Sequence, residues 1–212
     1  MRNTNQQAKD STDPKKVIVI GAGGHGRVLT DIITLVGDNV IGILDDKEPD
    51  HLSEIPYLGT CKDILKYQKD AWFIVGIGDN HTRKELMEAY QVNWYTAIHP
   101  SAVIAHDVSI GAGSAVMANA VINTASTIGN GVIINTAATV DHDCTISDYV
   151  HISPGVHLGG TVIIGTETWI VIGAVVSNNI DICGECIVGA GSLVIRSISV
   201  PGIYYGNPIK ET

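Results

Sequence analysis

The chain has 212 residues, with 13 Lys and Arg against 22 Asp and Glu and a formal charge of −9. That length allows one large or two small domains, and the acidic balance argues against nucleic acid or an anionic membrane as main partner, since both need clustered cations. No apolar run approaches the roughly 18 residues of a membrane span, and 4 cysteines in so long a chain do not make a disulfide scaffold, so reduced thiols are expected.

The opening segment, MRNTNQQAKDSTDPKK, lacks the apolar core of a signal peptide. Residues 1–15 read as a disordered tail on a cytoplasmic protein. A β-branched run, Val17 to Ile20, then leads into Gly21-Ala22-Gly23-Gly24-His25-Gly26 and an amphipathic stretch through Val36. A second strand, Val40 to Leu44, ends in Asp45-Asp46, and a third, Trp72 to Ile77, ends in Gly78-Asp79-Asn80. This alternation of strand and helix predicts a small parallel sheet, a Rossmann-like α/β domain over residues 16–98.

Gly21, Gly23 and Gly26 satisfy G-x-G-x-x-G between a strand and a helix, with an acidic pair about 20 residues on. Glycine lets the backbone approach a phosphate, whose charge a helix N-terminus favours. Asp45 and Asp46 are candidates to accept hydrogen bonds from a ribose or base. A nucleotide-type ligand is therefore expected, the alternative being a merely tight turn. A complete NAD enzyme does not fit, because the strands are too few for a second mononucleotide half. His25 either touches the ligand or caps the loop.

From residue 99 to the end the period changes. Ile104, Ile110, Val116, Ile122, Ile128, Ile134, Val140, Ile146, Ile152, Leu158, Ile164, Ile170, Val176, Ile182, Val188, Val194 and Val200 recur at a strict spacing of six. That spacing suits neither helix nor simple strand, but it is the signature of a hexapeptide-repeat β-helix with three hexads per coil. Small residues four places on, among them Ser114, Ser126, Cys144, Thr168 and Cys186, are expected to share the interior.

Outward positions sort into three faces by steps of 18. One carries Val103, Val121, Thr139, His157, Val175 and Leu193, a second Ala115, Ile133, His151, Trp169, Ile187 and Tyr205, and a third Ser109, Thr127, Thr145, Ile163, Asp181 and Ser199. Two are largely apolar, which predicts that they are covered, as in a trimer of prisms with sites between subunits. His142 falls at a corner, in a column with His106, Thr124, Gly160, Asn178 and Arg196. A histidine with a neighbouring carboxylate suits proton transfer at neutral pH. His151 and His157 lie on different faces, which argues against a shared metal ion, and Cys183-Gly184-Glu185-Cys186 reads as packing.

The segments GAGGHG, IGDN, IHPSA, VDHDC, VHISPGVHLGG and GNPIK, with Asp45-Asp46, together resemble the bacterial sugar O- and N-acetyltransferases built on a left-handed β-helix, the family of the bacillosamine N-acetyltransferases and sialic acid O-acetyltransferases. The resemblance implies a general base at His142, with Asp143 raising its basicity. It implies that His151 and the Gly160 backbone handle acetyl-CoA and that Ile172 and Ala190 line the coenzyme path. Arg196, about 14 Å from His142 by the strand spacing, is the candidate for a coenzyme phosphate. Gly21, Gly23, Gly24, His25, Asp45, Asp46 and Gly78 would hold the nucleotide sugar, with no metal involved. The implied reaction is acetyl-CoA-dependent N-acetylation of a nucleotide-linked 4-amino-4,6-dideoxy sugar, UDP-linked by preference, for surface glycans. O-acetylation of a sialic-acid-like sugar is the alternative, and a noncatalytic nucleotide-binding trimeric scaffold is the reading from a different class.

Overall fold

The computed structural model describes residues 13–49 and 55–211, so the reading of residues 1–12 as a tail lies outside the described residues. Order begins within the segment assigned to that tail. The Lys15 N–H donates to Asp38 Oδ1 at 2.8 Å, and its ammonium sits 4.5 Å above the Trp72 ring.

The first unit comprises β1 (Lys16–Ile20), α1 (Gly24–Leu35), β2 (Asn39–Leu44), β3 (Tyr57–Gly59), a short α2 (Ile64–Tyr67), β4 (Trp72–Val75) and α3 (Asn80–Ala89). Its strands form one parallel sheet in the order β3-β2-β1-β4. Val17 to Ile20 of the inner strand are fully buried, as a parallel sheet covered on both faces requires. Leu29, Ile32 and Ile33 of α1 pack against Val17, Val19 and Ile74, while Ile18 and Ile20 face Phe73 and Met87.

The glycine motif divides into two kinds of position. Gly21 adopts φ +103°, and a Cβ on Gly26 would fall on the Gly21 carbonyl, so these two are needed for α1 to start hard against the end of β1. Around Gly23 and Gly24 a Cβ would meet only open space, which leaves their backbone accessible.

From Ala97 the chain winds as a parallel β-helix of two-residue strands stacked into three sheets. Thr139 pairs with His157 and Thr145 with Ile163, so a coil takes 18 residues. The interior aliphatics from Val116 to Val194 are at most 3% exposed. Three interior hydroxyls stitch neighbouring coils together. Ser114 Oγ donates to the Gly129 carbonyl at 2.8 Å and accepts from the Val132 N–H at 2.9 Å, and Ser126 and Thr168 do the same two corners and three coils further along the chain. Each buried hydroxyl thus has its hydrogen-bonding capacity used. The corners turn through left-handed residues, including Asp143, Glu167 and Glu185 at φ +58°.

The period of six breaks in the last coil. Ile198 bridges Ile182, and Tyr204 pairs with Val188, so Val200 is 55% exposed instead of inward. Ile203, opposite Ile187, takes the outward position expected of Tyr205. The spacing shortens by two residues between Val194, which still pairs with Val176, and Ile198, and after the parallel pairing of Ile203 and Tyr204 the chain closes in an antiparallel hairpin ending at Ile209–Glu211.

The face that carries His151 is covered, over its first coils, by the chain's own α/β unit. Ala115, Met117 and Ile133 are buried with Val17, Leu29 and Ile33 in one cluster. Their apolar character is therefore explained within one chain, which corrects the expectation that a neighbouring subunit covers this part of the face. Among the described residues no helix is long and apolar enough to cross a membrane.

Arg83 of α3 locks the two units. It is 1% exposed and donates to five main-chain carbonyls and one side chain: Nε to Gly131, Nη1 to Ile77, Gly78 and Asp79, Nη2 to Tyr149 and to Asn80 Oδ1, over 2.6–3.3 Å. Burial pulls its pKa down to about 10, with Asp79 and Glu167 pulling the other way, so it remains charged at neutral pH. Arg83→Lys keeps the charge but loses the planar fork of donors, leaving buried carbonyls without partners. The expected result is a destabilisation of about 2–4 kcal/mol, measured as a lower denaturant midpoint with unchanged slope. A wild-type midpoint would show that the cage contributes nothing.

Candidate active site

Val140 and Cys144 point into the coil, each 1% exposed, and hold between them the turn Asp141-His142-Asp143. The left-handed backbone of Asp143, a conformation that Asp tolerates, folds its carboxylate back onto the preceding ring. His142 Nδ1 lies 2.7 Å from Asp143 Oδ2. The proton belongs on that nitrogen, which leaves the Nε2 lone pair free. Asp141 Oδ1 fixes the turn by accepting from the His142 N–H at 2.9 Å and from Asn123 Nδ2 at 2.8 Å. The Asp143 hydrogen bond first, and the Asp141 charge second, raise the His142 pKa above the ordinary histidine value. With its side chain 52% exposed, this is an open base and not a core histidine.

Gly160 lies one coil on, directly against the ring. A Cβ there would come within 2.6 Å of both Cε1 and Nε2 of His142, so glycine is what makes the ring position possible. The Gly160 carbonyl accepts from Asn179, while its N–H has no acceptor among the described residues. Arg196, exposed in the same column, borders a cavity of about 200 Å³ with Ser197, Ser199 and Tyr204. Ile172, 54% exposed, and Ala190 stand one coil apart at the next corner.

A larger cavity of about 660 Å³ opens between the N-terminus of α3 and the His151 face, lined by Gly78, Asn80, Lys84, His151, Glu167 and Trp169 among others. His151 points outward from the coil as expected, but the α/β unit covers it. Its ring stacks on Trp169 with centroids 5.9 Å apart and planes 9° apart, and Nε2 lies 3.1 Å from Asn135 Nδ2. Among the described residues its Nδ1 is buried with no hydrogen bond of good geometry, the Gly78 backbone being the nearby group that favours the charged ring, and Nε2 of His25 is likewise buried without a partner. Burial, and then the nearby Arg83 charge, push His151 down to about 3 and His25 down to about 4, so both rings are neutral at physiological pH. Buried polar atoms without partners are rare, and beside a cavity they mark where a ligand's polar group fits.

The acidic pair after β2 is already engaged with the chain. Asp45 Oδ2 accepts from the Ala22 N–H at 2.8 Å and Oδ1 from the Lys47 N–H at 2.9 Å, so this carboxylate shapes the glycine loop. Asp46 Oδ1 accepts from the Cys61 N–H at 3.0 Å, and the same carboxylate is engaged by the Cys61 thiol. Gly78 lines the large cavity and gives its carbonyl to Arg83. Sequence reasoning missed Arg83, Asn135 and Asn123. A signal for Arg83 was present: Asp79 caps α3 through the Thr82 N–H, and Arg83 shares the inward stripe of Asn80 and Met87 at helical spacing.

The structure brings the predicted residues together in two groups, not one. His142, Asp143, Gly160 and Arg196 share the corner between the His157 and Thr145 faces, whereas His151, Gly78 and the glycine-loop side lie on the His151 face opposite. A single chain does not unite them.

A nucleotide-type α/β unit on a hexapeptide β-helix with a carboxylate-backed corner histidine defines a class, and comparison with known proteins gives it a family. Residues 16–90 match the family model described as the PglD N-terminal domain. The chain is 38% identical over 112 residues to UDP-N-acetylbacillosamine N-acetyltransferase of Bacillus subtilis (strain 168), covering 49% of this chain and 52% of that protein. It spans about half the length of the curated relatives it matches. Among solved structures, the acetyltransferase domain of PglB from Neisseria gonorrhoeae, in complex with acetyl coenzyme A, is matched at TM-score 0.90 and 36% identity over 94% of this chain and 100% of that one. A histidine-to-asparagine mutant of perosamine N-acetyltransferase from Caulobacter crescentus, in complex with CoA and GDP-perosamine, is matched at TM-score 0.89 and 34% identity over 95% and 98%. The chain belongs to this family of left-handed β-helix sugar acetyltransferases.

Gly160→Ala tests the corner without reference to any activity. The added methyl displaces a half-exposed ring that has room to swing, so the fold's stability is expected within about 0.5 kcal/mol of wild type. The imidazole of His142, followed by NMR titration, should lose its carboxylate partner and titrate at lower pH. An unchanged titration would mean that Gly160 does not set the ring's position.

Proposed function

We propose that the protein is an acetyl-CoA-dependent N-acetyltransferase acting on the 4-amino group of a nucleotide-linked 4-amino-4,6-dideoxy sugar, UDP-linked by preference, in the synthesis of surface glycans. The observation that carries the reading is the His142–Asp143 pair, with Nε2 free and seated against Gly160. The sugar's amine attacks the thioester carbonyl while Nε2 removes its proton, and Asp143 stabilises the imidazolium that forms. The Gly160 N–H is the donor for the oxygen of the tetrahedral intermediate. Collapse of that intermediate expels the coenzyme thiolate. Both substrates occupy one cleft, so transfer is direct and needs no enzyme nucleophile. Family relatives hold acetyl-CoA, CoA and GDP-perosamine in their structures, which supports the pairing of substrates.

In this reading Ile172 and Ala190 line the coenzyme arm and Arg196 meets a coenzyme phosphate. Gly21, Gly23, Gly24, His25, Asp45, Asp46 and Gly78 belong to the nucleotide-sugar side, and neutral His151 hydrogen-bonds the acetyl-bearing or sugar-bearing end. Because the two groups lie on opposite sides of one prism, the complete site requires a second copy, and a homotrimer with sites between subunits supplies it. The exposed Val103 and Val175 of the His157 face, 63% and 40% accessible, are the apolar surface such packing would cover. Both substrates are cytoplasmic metabolites, and the enzyme is read as working there.

The pH dependence has a fixed sign. A base must be unprotonated, and His142 is raised above the ordinary value near 6.5, so kcat/KM should fall on acidification through a pKa above that of a free histidine. Asp143→Asn should move this acid limb to lower pH and reduce kcat by about 10- to 100-fold, and His142→Ala should cost about 100- to 10,000-fold. The assay is acetyl transfer to UDP-, GDP- and dTDP-linked amino sugars. Full activity in His142→Ala would remove the base assignment, and a wild-type protein that transfers to no amino sugar would favour the scaffold reading.

A further inference from the structure

Cys183 and Cys186 bracket the Gly184-Glu185 turn at the corner between the Thr145 and His151 faces. In the equivalent corners of the earlier coils the first position is held by Gly111, Gly129, Ser147 and Gly165, and the second by Ser114, Val132, Val150 and Thr168. This corner alone among them pairs two sulfurs. The turn, with Glu185 at φ +58°, brings Sγ to Sγ at 3.4 Å. A disulfide needs Cα atoms roughly 4.4–6.8 Å apart, and the ends of a four-residue turn lie within about 7 Å. Closure therefore requires the sulfurs to approach, with little displacement of the backbone. Cys186 is fully buried and also contacts the Gly184 and Val200 carbonyls at 3.7 and 3.6 Å, whereas Cys183 is partly exposed. The remaining thiols, Cys61 in the α/β unit and Cys144 behind the His142 turn, are buried in separate places.

We propose that Cys183 and Cys186 form a reversible dithiol–disulfide pair, oxidised by low-molecular-weight disulfides such as oxidised glutathione, which stiffens one wall of the large cavity. Glu185 and Cys186 line that cavity beside Trp169, so the state of the pair bears directly on its wall. The more accessible Cys183 thiolate attacks a sulfur of the small disulfide and expels one thiolate. Cys186, on losing its proton, attacks the Cys183 sulfur of the mixed disulfide and expels the second. Two protein thiols are oxidised and one small disulfide is reduced to two thiols. Burial pushes the Cys186 thiol up to about 12, which makes the second step the slower one and accelerates it as pH rises. The ring is short, so the bridge gains little loop-closure stabilisation and stays reducible by a glutathione pool.

The test equilibrates the full-length protein in glutathione buffers of increasing oxidised fraction, quenches in acid, unfolds, alkylates and counts adducts by intact mass. The 4 alkylatable thiols of wild type should fall to two and return on treatment with excess reductant, with the bridge mapped to the 183–186 peptide. Cys144→Ala should still lose two thiols, whereas Cys183→Ser and Cys186→Ser should form no internal bridge. Amide exchange of residues 183–187 should slow in the oxidised protein. Retention of all thiols in a buffer that oxidises a thioredoxin-type dithiol would overturn the pair. An unresolved glutathione adduct on Cys183 would do the same. Unchanged amide exchange would overturn the effect on the cavity wall. None of these readouts depends on the acetyl-transfer activity.

Discussion

A buried guanidinium solvated by carbonyls, with no carboxylate bonded to it among the described residues, is the interaction on which the arrangement depends. Arg83 gathers the Ile77, Gly78 and Asp79 carbonyls from the loop after β4 and the Gly131 and Tyr149 carbonyls from two coils of the β-helix. Loop and coils are thereby held in one register, and the large cavity exists because they are. The same charge reaches His25 and His151 and helps keep both rings neutral. A carboxylate bonded in its place would cancel much of that field. A cage of dipoles leaves the field intact while offsetting the desolvation of the cation.

The β-helix solves a separate problem, that of holding a polar turn at a fixed place on a rigid support. Each coil passes three corners, and from Gly113 to Gly191 every corner turns through a left-handed residue. Asp143 occupies such a position, so the backbone requirement of the fold and the orientation of the carboxylate are met by one residue. The next coil contributes Gly160 at the spacing of 18 that stacks one corner on another. The hydroxyl of Ser126, bonded to the Asp141 carbonyl and the Cys144 N–H, pins both ends of the turn from inside. The geometry around His142 is therefore a by-product of coil packing, which explains how an exposed histidine is held without a covering loop.

Much of this was legible in the sequence because the signals are local or strictly periodic. The spacing of six named the inward residues from Val116 to Val194, and stepping by 18 put Gly160 beside His142. The limits of legibility follow the same logic. Val200 continues the count in sequence, but Ile198 takes the inward place beside Ile182, and periodicity carries no information about where a repeat stops. Asp45 and Asp46 read as ligand acceptors because their partners, the Ala22 and Cys61 N–H groups, come close only in three dimensions. His151 was read correctly as outward from the coil, yet its burial depends on a unit whose docking is encoded in Arg83, a single residue within a helix. Long-range contacts of that kind leave no pattern along the chain.

The histidines show how one chain obtains opposite behaviours from one side chain. His142, exposed and backed by Asp143 with Asp141 adjacent, has its pKa raised. His25, in the first turn of α1, and His151, covered by the α/β unit, are both near Arg83 and are lowered to about 4 and about 3. The first is held above the ordinary histidine value, whereas the other two stay neutral at physiological pH. A site assembled from both kinds has one group that moves a proton and two that only donate or accept fixed hydrogen bonds. That division needs the corner and the cavity to come from environments as different as an open turn and a buried seam. A single protomer keeps those environments apart, on opposite sides of the prism, and this separation is what the proposed site between copies would bridge.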